Sequence, residues 1–275
     1  MKRVLLWMVS LVGLTCFLYP NGSKVEMFAM KPRVIQSLDR EFLKYGTYVN
    51  GERKRIFQLV TRIDEQKEKA FLYIHGRDIG SKLPMPSHYT NYGFQMVIST
   101  KHESLSYLSW DFLEDVKKEG GKSATAYNMD IDPEDQKALY RSMVWDGDET
   151  RSTSSKITLK KDIPVWTIEA TAFGAARFLD IESPGIIQEV IPQMKQTIPG
   201  RFVYVGREIL TTPAGKFNTV KVGFMIADPF LSKLMESYLK EMFFWIEEGP
   251  RGLIVKTQRP DEINVLEEIG EWQDK

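Results

Sequence analysis

Three histidines and one cysteine are the side chains in this sequence best suited to metal binding or nucleophilic catalysis. His75, His88 and His102 stand alone, and no two of them have the i, i+4 spacing that places two ligands on one helix face. The only cysteine is Cys16, and no G-x-S-x-G segment marks a nucleophilic serine. We therefore predict no catalytic residue, no metal ligand and no cofactor. A hydrolase whose site is assembled in space around one of the histidines is the least favoured alternative.

Acidic residues between positions 130 and 135 offer the oxygen ligands that calcium prefers. The segment lacks the glycine and the final glutamate that an EF-hand loop requires at its sixth and twelfth positions. Asp132 is instead typical of a helix N-cap, because Pro133 then takes the first helical position and Glu134 and Asp135 face the positive end of the helix dipole. We predict a short helix from this cap to about Met143.

The composition is that of an ordinary globular protein, with 43% apolar or aromatic and 27% charged residues in 275. Basic and acidic residues both number 37, so the chain has no net field that would attract nucleic acid. No long run of one charge sign provides such a field locally. We predict that nucleic acid is not a partner.

The N-terminus has the layout of a secretory signal peptide. Lys2 and Arg3 precede an apolar run at 4–19, and Pro20-Asn21-Gly22-Ser23 then interrupts it. The run has 16 residues, fewer than the roughly 20 that a helix needs to cross a bilayer. Export is therefore favoured, and retention as a membrane anchor through residues 4–19 is the alternative.

This interpretation divides the chain into a signal peptide or N-terminal anchor at 1–23 and a single domain at 24–275. The expected location is periplasmic or exported. Cys16 lies inside the apolar run, but Gly13-Leu14-Thr15 before it does not match a lipobox, so lipidation is disfavoured. Removal of the leader beyond Cys16 would leave no thiol for a disulfide or a metal ligand.

The N-terminal half alternates between apolar and polar residues, a pattern typical of antiparallel strands. Asn50-Gly51 is the dipeptide best suited to a tight hairpin turn, between strands that begin at Glu41 and end near Ile63. We predict further strands at 69–76 and 93–100, with a loop at 77–92 between them. The segment 104–118 suits either a helix or a strand, and Gly120-Gly121 favours a strand that turns there into a second one.

The middle of the chain predicts a connector at 146–155, a strand at 156–160 and a helix at 164–179. The segment 185–192 is short and apolar, and is either a strand or an insert. The stretch 201–258 then predicts strand, turn, strand, helix, strand, turn, strand, and 262–270 adds a final edge strand. We predict an α+β fold that is mainly antiparallel β, with a curved sheet or half-barrel and a few packing helices.

The predicted helix at 229–242 begins at Asp228 as N-cap and carries one broad apolar stripe. If the concave side of the sheet is open, the stripe is well placed to line a ligand groove. Our candidate groove-lining residues are Phe230, Leu234, Tyr238, Met242 and Trp245. The alternative is that these side chains are ordinary core, which is the commoner role of an apolar helical stripe.

Several of these segments together resemble exported bacterial proteins of unknown function that are related to the LolA/LolB lipoprotein carriers. The resemblance rests on the Asn50-Gly51 hairpin, on the segments 164–179 and 206–222, and on FWIEEGPRGLIVKT at 244–257. It covers about Glu41 to Gly270. It implies a half-barrel whose hydrophobic concave surface, in the carriers, holds acyl chains, and it implies no catalytic residues.

The expected function is therefore that of a non-enzymatic envelope protein that binds an acyl chain, a lipoprotein or another apolar ligand in a curved sheet. The alternative is a structural or assembly protein of the envelope that acts through contacts with another protein, its interior being an ordinary core. An apolar void beneath residues 229–243 would favour the first function, and dense packing there would favour the second.

Overall fold

In the computed structural model, the residues that can be described lie almost entirely in β-strands. The described residues are 39–64, 69–78, 91–99, 107–118, 121–132, 135–146, 149–160, 163, 165–167, 176–178, 186–191, 195–229, 232–233, 242–249, 251–260 and 262–273. The predicted signal peptide, His88 and His102 therefore lie outside them. Among the residues that the structure describes, none forms a helix with the length and hydropathy that crossing a bilayer requires.

The described part of the chain contains fifteen strands, which are hydrogen-bonded into one sheet. Their bounds are β1 Glu41–Val49, β2 Glu52–Asp64, β3 Lys69–Asp78, β4 Asn91–Ser99, β5 Tyr107–Lys118, β6 Gly121–Asp132, β7 Lys137–Asp146, β8 Glu149–Thr158, β9 Val165–Thr167, β10 Ile186–Ile191, β11 Gln196–Thr212, β12 Gly215–Ile226, β13 Met242–Glu247, β14 Ile254–Gln258 and β15 Ile263–Glu271. A three-residue helical turn, α1, spans Ala176–Phe178. The predicted antiparallel, curved sheet is confirmed.

The first and the last strand, β1 and β15, are neighbours in the middle of the sheet. From one edge to the other the order is β8-β7-β6-β5-β4-β3-β2-β1-β15-β14-β13-β12-β11-β10-β9. All neighbours are antiparallel except β9 and β10, which are parallel. The prediction that the last strand forms an edge is wrong, because β15 pairs with β1 along nearly its whole length. That pairing joins segments more than two hundred residues apart. A local sequence pattern carries no information about such a distant pairing.

The sheet curls so far that its two edges come close together. The edge strands β8 and β9 are consecutive in the chain, and only residues 159–164 connect them. These six residues span at most about 25 Å, whereas a flat sheet of fifteen strands would be roughly 67 Å wide. Cα atoms of β8 also come within 8 Å of β11, near the opposite edge. The curvature is thus required by the connection itself.

The side chains that point into the curl form the core. On β1 the alternate residues Leu43, Tyr45 and Thr47 are buried, as the period of a strand requires. The register places Tyr45 between Phe57 and Leu266, and the rings of Tyr45 and Phe57 stack with their centroids 4.7 Å apart. The alternating burial explains why sequence periodicity located these strands.

The predicted hairpins are present. Asn50 and Gly51 both have positive φ, at 52° and 80°, and turn β1 into β2. Strand β5 turns into β6, which begins at Gly121, and Thr212 pairs with Gly215 across the turn between β11 and β12. The segment 185–192, for which strand and insert were both open, forms β10.

The helix predicted from Asp132 to Met143 is wrong, because this segment forms the turn between β6 and β7 and most of β7. The cap-like hydrogen bond exists, since the Asp135 amide donates to Asp132 Oδ1 at 2.9 Å. Gln136 then adopts φ 53°, which reverses the chain, and β7 pairs with β6 and β8 on either side. The same bond closes a helical turn or a β-turn, and strand pairing decided between them.

Two further predicted elements differ from the structure. The predicted connector at 146–155 mostly belongs to β8, whose exposed side chains gave no apolar alternation to detect. The predicted helix at 164–179 is wrong at Val165–Thr167, which form β9. Of the rest of that segment, the structure describes only α1. The expectation of a few packing helices is not supported by the described residues.

The predicted helix at 229–242 begins as expected. The Ser232 amide donates to the Asp228 carbonyl at 2.8 Å, which is the first i to i+4 bond of an α-helix. Residues 230–231 and 234–241 lie outside the described residues. The expected helix end at Met242 is wrong, because this residue begins β13 and pairs with Phe224.

Candidate functional site

The five predicted groove residues do not form one described surface. Phe230, Leu234 and Tyr238 lie outside the described residues. Met242 and Trp245 both belong to β13, but they are three positions apart on a regular stretch of strand and so point to opposite faces of the sheet. Both side chains are buried. Of these two described residues, Met242 lines the cavity described next and Trp245 does not.

A cavity of about 540 Å³ lies beside the C-terminal end of β12 and the N-terminal end of β13. Pro229, Ser232 and Lys233, at the start of the 229–242 segment, form one side of it. The other described lining residues are Arg201, Val203, Val205, Gly223, Phe224, Met225, Ile226, Ala227, Met242 and Phe243. This is the position, beneath residues 229–243, at which the sequence left open a choice between a void and dense packing.

The mostly apolar lining includes residues from both faces of the sheet. Val203 and Gly223 pair directly, and Gly223 pairs in turn with Phe243, so these residues share the face that points away from the core. Phe224 pairs with Met242 on the core-facing side. Gly223 leaves space between two bulkier neighbours, since a Cβ there would stand 3.4 Å from the Phe243 ring and 3.9 Å from Val205. The glycine therefore helps to open the cavity.

The charged residues of the lining are all cationic. Arg201 and Lys233 are exposed, and the described lining includes no carboxylate. Neither cation forms an ion pair with any of the residues that the structure describes. By contrast, Arg53, Arg141 and Arg251 each form an ion pair with an acid. The cavity thus combines apolar walls with a positive charge.

A cluster of cations and aromatic rings adjoins the cavity on the outward face. Lys256 Nζ lies 4.2 Å and Lys221 Nζ 4.7 Å from the centre of the Trp245 ring, and Lys221 Nζ is 4.6 Å from that of Phe243. Trp245 Nε1–H donates a hydrogen bond to Glu208. Burial lowers the pKa of Lys256 from its usual value, Glu208 opposes this effect and Lys221 adds to it. Trp245 is therefore covered by lysine side chains rather than available to a ligand.

The inside of the curl is packed and contains polar groups as well as apolar ones. Glu41 and Arg177 form a buried ion pair there, which links β1 to α1. The Tyr45 hydroxyl donates to the Ile254 carbonyl at 2.9 Å. Burial raises the pKa of Tyr45 well above its usual value, Arg177 opposes the rise and Glu41 adds to it. These contacts are those of a protein core, not of an open groove.

A second cavity, of about 590 Å³, lies over β6, β7 and β8 and includes part of the acidic segment considered for calcium. Its lining combines Asp130, Asp132 and Asp135 with Lys137 and Lys156. Asp130 forms an ion pair with Arg141 at 2.6 Å and Asp135 forms one with Lys137 at 3.2 Å. Within the described ranges, no group of three or more His, Cys, Asp or Glu side chains is arranged to hold a metal ion.

Sequence reasoning missed most of the described cavity lining. The signal that was present is the alternation Arg201, Val203, Val205, which places one cation and two apolar residues on the same side of β11. That alternation is equally typical of a core-facing strand. The bulge between Tyr204 and Gly206 and the pairing with Gly223, which decide where these side chains point, are tertiary features.

Comparison with known proteins gives three solved structures. A β-barrel-like protein from Brucella abortus, with a domain of unknown function named DUF1849, has a TM-score of 0.46 and 8% identity, covering 89% of this chain and 99% of that one. A protein from Bacteroides fragilis, classed as exported and with a YmcC-like fold, has a TM-score of 0.33 and 12% identity, covering 88% and 100%. A protein from Parabacteroides distasonis, classed as a lipoprotein, has a TM-score of 0.34 and 12% identity, with the same coverage of both chains.

These similarities are too low for a shared fold or function to follow from them. None of the three is a LolA or LolB carrier, so the resemblance to those carriers stays a prediction. The chain matches no protein-family model and no curated protein sequence.

Proposed function

We propose that this protein is a non-enzymatic protein of the cell envelope that binds an acyl chain or a similar apolar ligand. The observation that carries the proposal is the cavity of about 540 Å³ beside residues 229–243, with walls formed by Val203, Met225 and Phe243. Its volume falls within the roughly 300–1,000 Å³ of small-molecule sites, and apolar walls are typical of such sites. The N-terminal sequence at 1–23 supports export to the envelope.

The proposed ligand site differs from the groove expected from the sequence. The expected groove was the concave side of the sheet, but the described core residues there are buried against one another and enclose the Glu41–Arg177 ion pair. The open volume lies instead at the end of β12 and β13. An apolar ligand in that position would contact residues of β11, β12 and β13 and the start of the 229–242 segment.

A cavity-filling variant tests the proposal. In Gly223→Leu the new side chain projects between Phe243 and Val205 into the proposed site. We expect at least a tenfold loss of affinity for a fluorescent fatty acid, measured by titration, with the thermal midpoint changed little. Gly206→Leu is the matched control, because it adds the same side chain to β11 where a Cβ would meet no atom within 4 Å.

Native mass spectrometry of protein purified from cells, followed by lipid extraction, provides the second arm of this test. We expect the wild-type protein to carry a bound lipid that Gly223→Leu lacks. A wild-type protein that is empty, and that binds no fluorescent fatty acid, would contradict the proposal.

A second candidate function is favoured by one edge of the sheet. Strand β11 pairs with β10 only as far as Arg201, and among the described strands none pairs with 202–212 on the side opposite β12. Tyr204, Val205 and Ile209 on this segment are about half exposed. An unpaired strand with exposed apolar side chains is a template for strand addition by a partner. This arrangement supports an assembly protein that acts through an envelope partner.

Site-specific photocrosslinking in intact cells distinguishes this candidate. A crosslinking residue at Ile209 should capture one protein partner, whereas the same residue at the exposed Lys216, on the neighbouring strand, should not. Equal capture at both positions, or none at either, would contradict the edge as an assembly surface. A partner captured equally well in the Gly223→Leu background would show that assembly does not depend on the cavity.

A further inference from the structure

We infer that the ligand of the cavity is an anionic amphiphile, whose charged headgroup contacts Arg201 and Lys233 while its alkyl chain occupies the apolar volume. This inference rests on the proposed function and adds the chemical class of the ligand. Arg201 comes from β11 and Lys233 from the segment that follows β12, so the two cations belong to different elements that line the same cavity.

The charges around the cavity support an anion rather than a neutral or cationic headgroup. No acidic side chain is among the described lining residues. Lys221 and Lys256 lie next to the cavity on the same outward face and add positive potential, which Glu208 offsets only in part. A cation beside low-dielectric walls attracts an anion more strongly than it does in open water. Among the described lining residues, a cationic headgroup would find no opposite charge with which to pair.

The apolar walls explain why the ligand is an amphiphile and not a small anion. Val203, Met225 and Phe243 offer a free phosphate or carboxylate ion no hydrogen bond, and burial against them would cost desolvation. The same walls stabilise an alkyl chain by roughly 0.8 kcal/mol for each buried methylene. Arg201 and Lys233 are exposed, so a headgroup that contacts them keeps part of its hydration.

A series of ligands with one chain and different headgroups tests the inference. Dodecanoate, dodecyl phosphate, dodecyltrimethylammonium and dodecanol are titrated into the full mature chain below their critical micelle concentrations, with binding followed by calorimetry. We expect the two anions to bind at least tenfold more tightly than the other two ligands. The preference should weaken as salt is raised, because the cations are exposed to screening.

The double variant Arg201→Gln/Lys233→Gln assigns the preference to these residues. We expect it to lose most of its preference for the two anions over dodecanol. Lys216→Gln is the matched control, since this exposed lysine lies on β12 at the end remote from the cavity. It should keep the full preference.

The outcomes separate this inference from the proposed function. Equal binding of all four ligands would overturn the anionic headgroup and leave the apolar site intact. Binding of none would overturn both. An anion preference that survives in the double variant would overturn the role of Arg201 and Lys233.

Discussion

Tyr45 combines, in one residue, an apolar ring and a polar group that the core has to accommodate. Its ring stacks on Phe57, and its hydroxyl donates to the carbonyl of Ile254 on β14, from which β1 is separated in the sheet by β15. Burial is the main cause that raises the pKa of this hydroxyl. Tyr45 therefore stays neutral in the folded protein at pH values where an exposed tyrosine ionises.

This shift predicts a specific loss of stability at alkaline pH. Above pH about 10 a tyrosine in the unfolded chain releases its proton, while the folded protein retains it. Stability contributed by Tyr45 is thus complete below pH about 10 and decreases as the pH rises further. Tyr45→Phe should cost about 1–2 kcal/mol at pH 7, because the Ile254 carbonyl loses its partner.

The measurement is urea denaturation of both proteins between pH 7 and pH 11. We expect the gap between wild type and Tyr45→Phe to narrow above pH about 10, because only the wild type carries the shifted group. A gap that stays constant over the whole range would show that Tyr45 does not titrate differently in the two states.

At the scale of elements, the hairpins show which local signals determine structure. Asn50-Gly51 specifies a turn because both residues accept positive φ, and β1 and β2 pair on either side of it. Asp132 gives an equally clear signal for a helix start, yet it belongs to β6 and pairs with Lys137 of β7. The difference is that positive φ is compatible with few structures, whereas an aspartate that accepts an amide hydrogen bond fits several.

Gly51→Ala tests the cost of the turn conformation by itself. A Cβ at Gly51 meets no atom within 4 Å, so the φ of 80° is the only source of strain. We expect a loss of about 1 kcal/mol in the free energy of unfolding. Gly206→Ala is the control, because its Cβ also meets open space but without a positive φ. Equal losses in the two variants, measured by urea denaturation, would contradict this explanation.

At the scale of the whole molecule, the curl depends on the short connection between the edge strands. Gln188 holds this connection, since its amide group accepts from the Lys160 amide and donates to the carbonyls of Lys160 and Ile163, each at 2.7 Å. Gln188 belongs to β10, next to the edge strand β9. One buried side chain therefore fixes the path by which the chain passes from one edge of the sheet to the other.

Gln188→Leu should weaken this closure. The substitution keeps an apolar stem but leaves three backbone groups without their present partner, and we expect a loss of about 2–4 kcal/mol. Hydrogen exchange should accelerate most in β8 and β10. Gln196→Leu, at a half-buried position on β11, is the control and should change exchange little. Faster exchange confined to β1 and β15 would show that Gln188 does not stabilise the connection between the edge strands.

The sequence by itself determined the features that depend on neighbouring residues. Alternating apolar residues specified β1 and β2, and glycines with special backbone freedom specified the turns, because a strand's period and a turn's φ are local properties. The same alternation led to a correct expectation of a curved antiparallel sheet, and the Asp228 cap correctly located the start of a helical turn.

Only the tertiary structure decided what depends on residues distant in the chain. The pairing of β1 with β15 makes the last strand central, and the pairing of β7 on both sides overrides the helix signal at Asp132. The cavity is of this kind too, because Arg201, Gly223 and Lys233 line one volume only after β11 and β12 have paired. The periodicity of the sequence shows which side chains are apolar. Only the folded structure determines whether such a side chain packs against another one or lines a cavity.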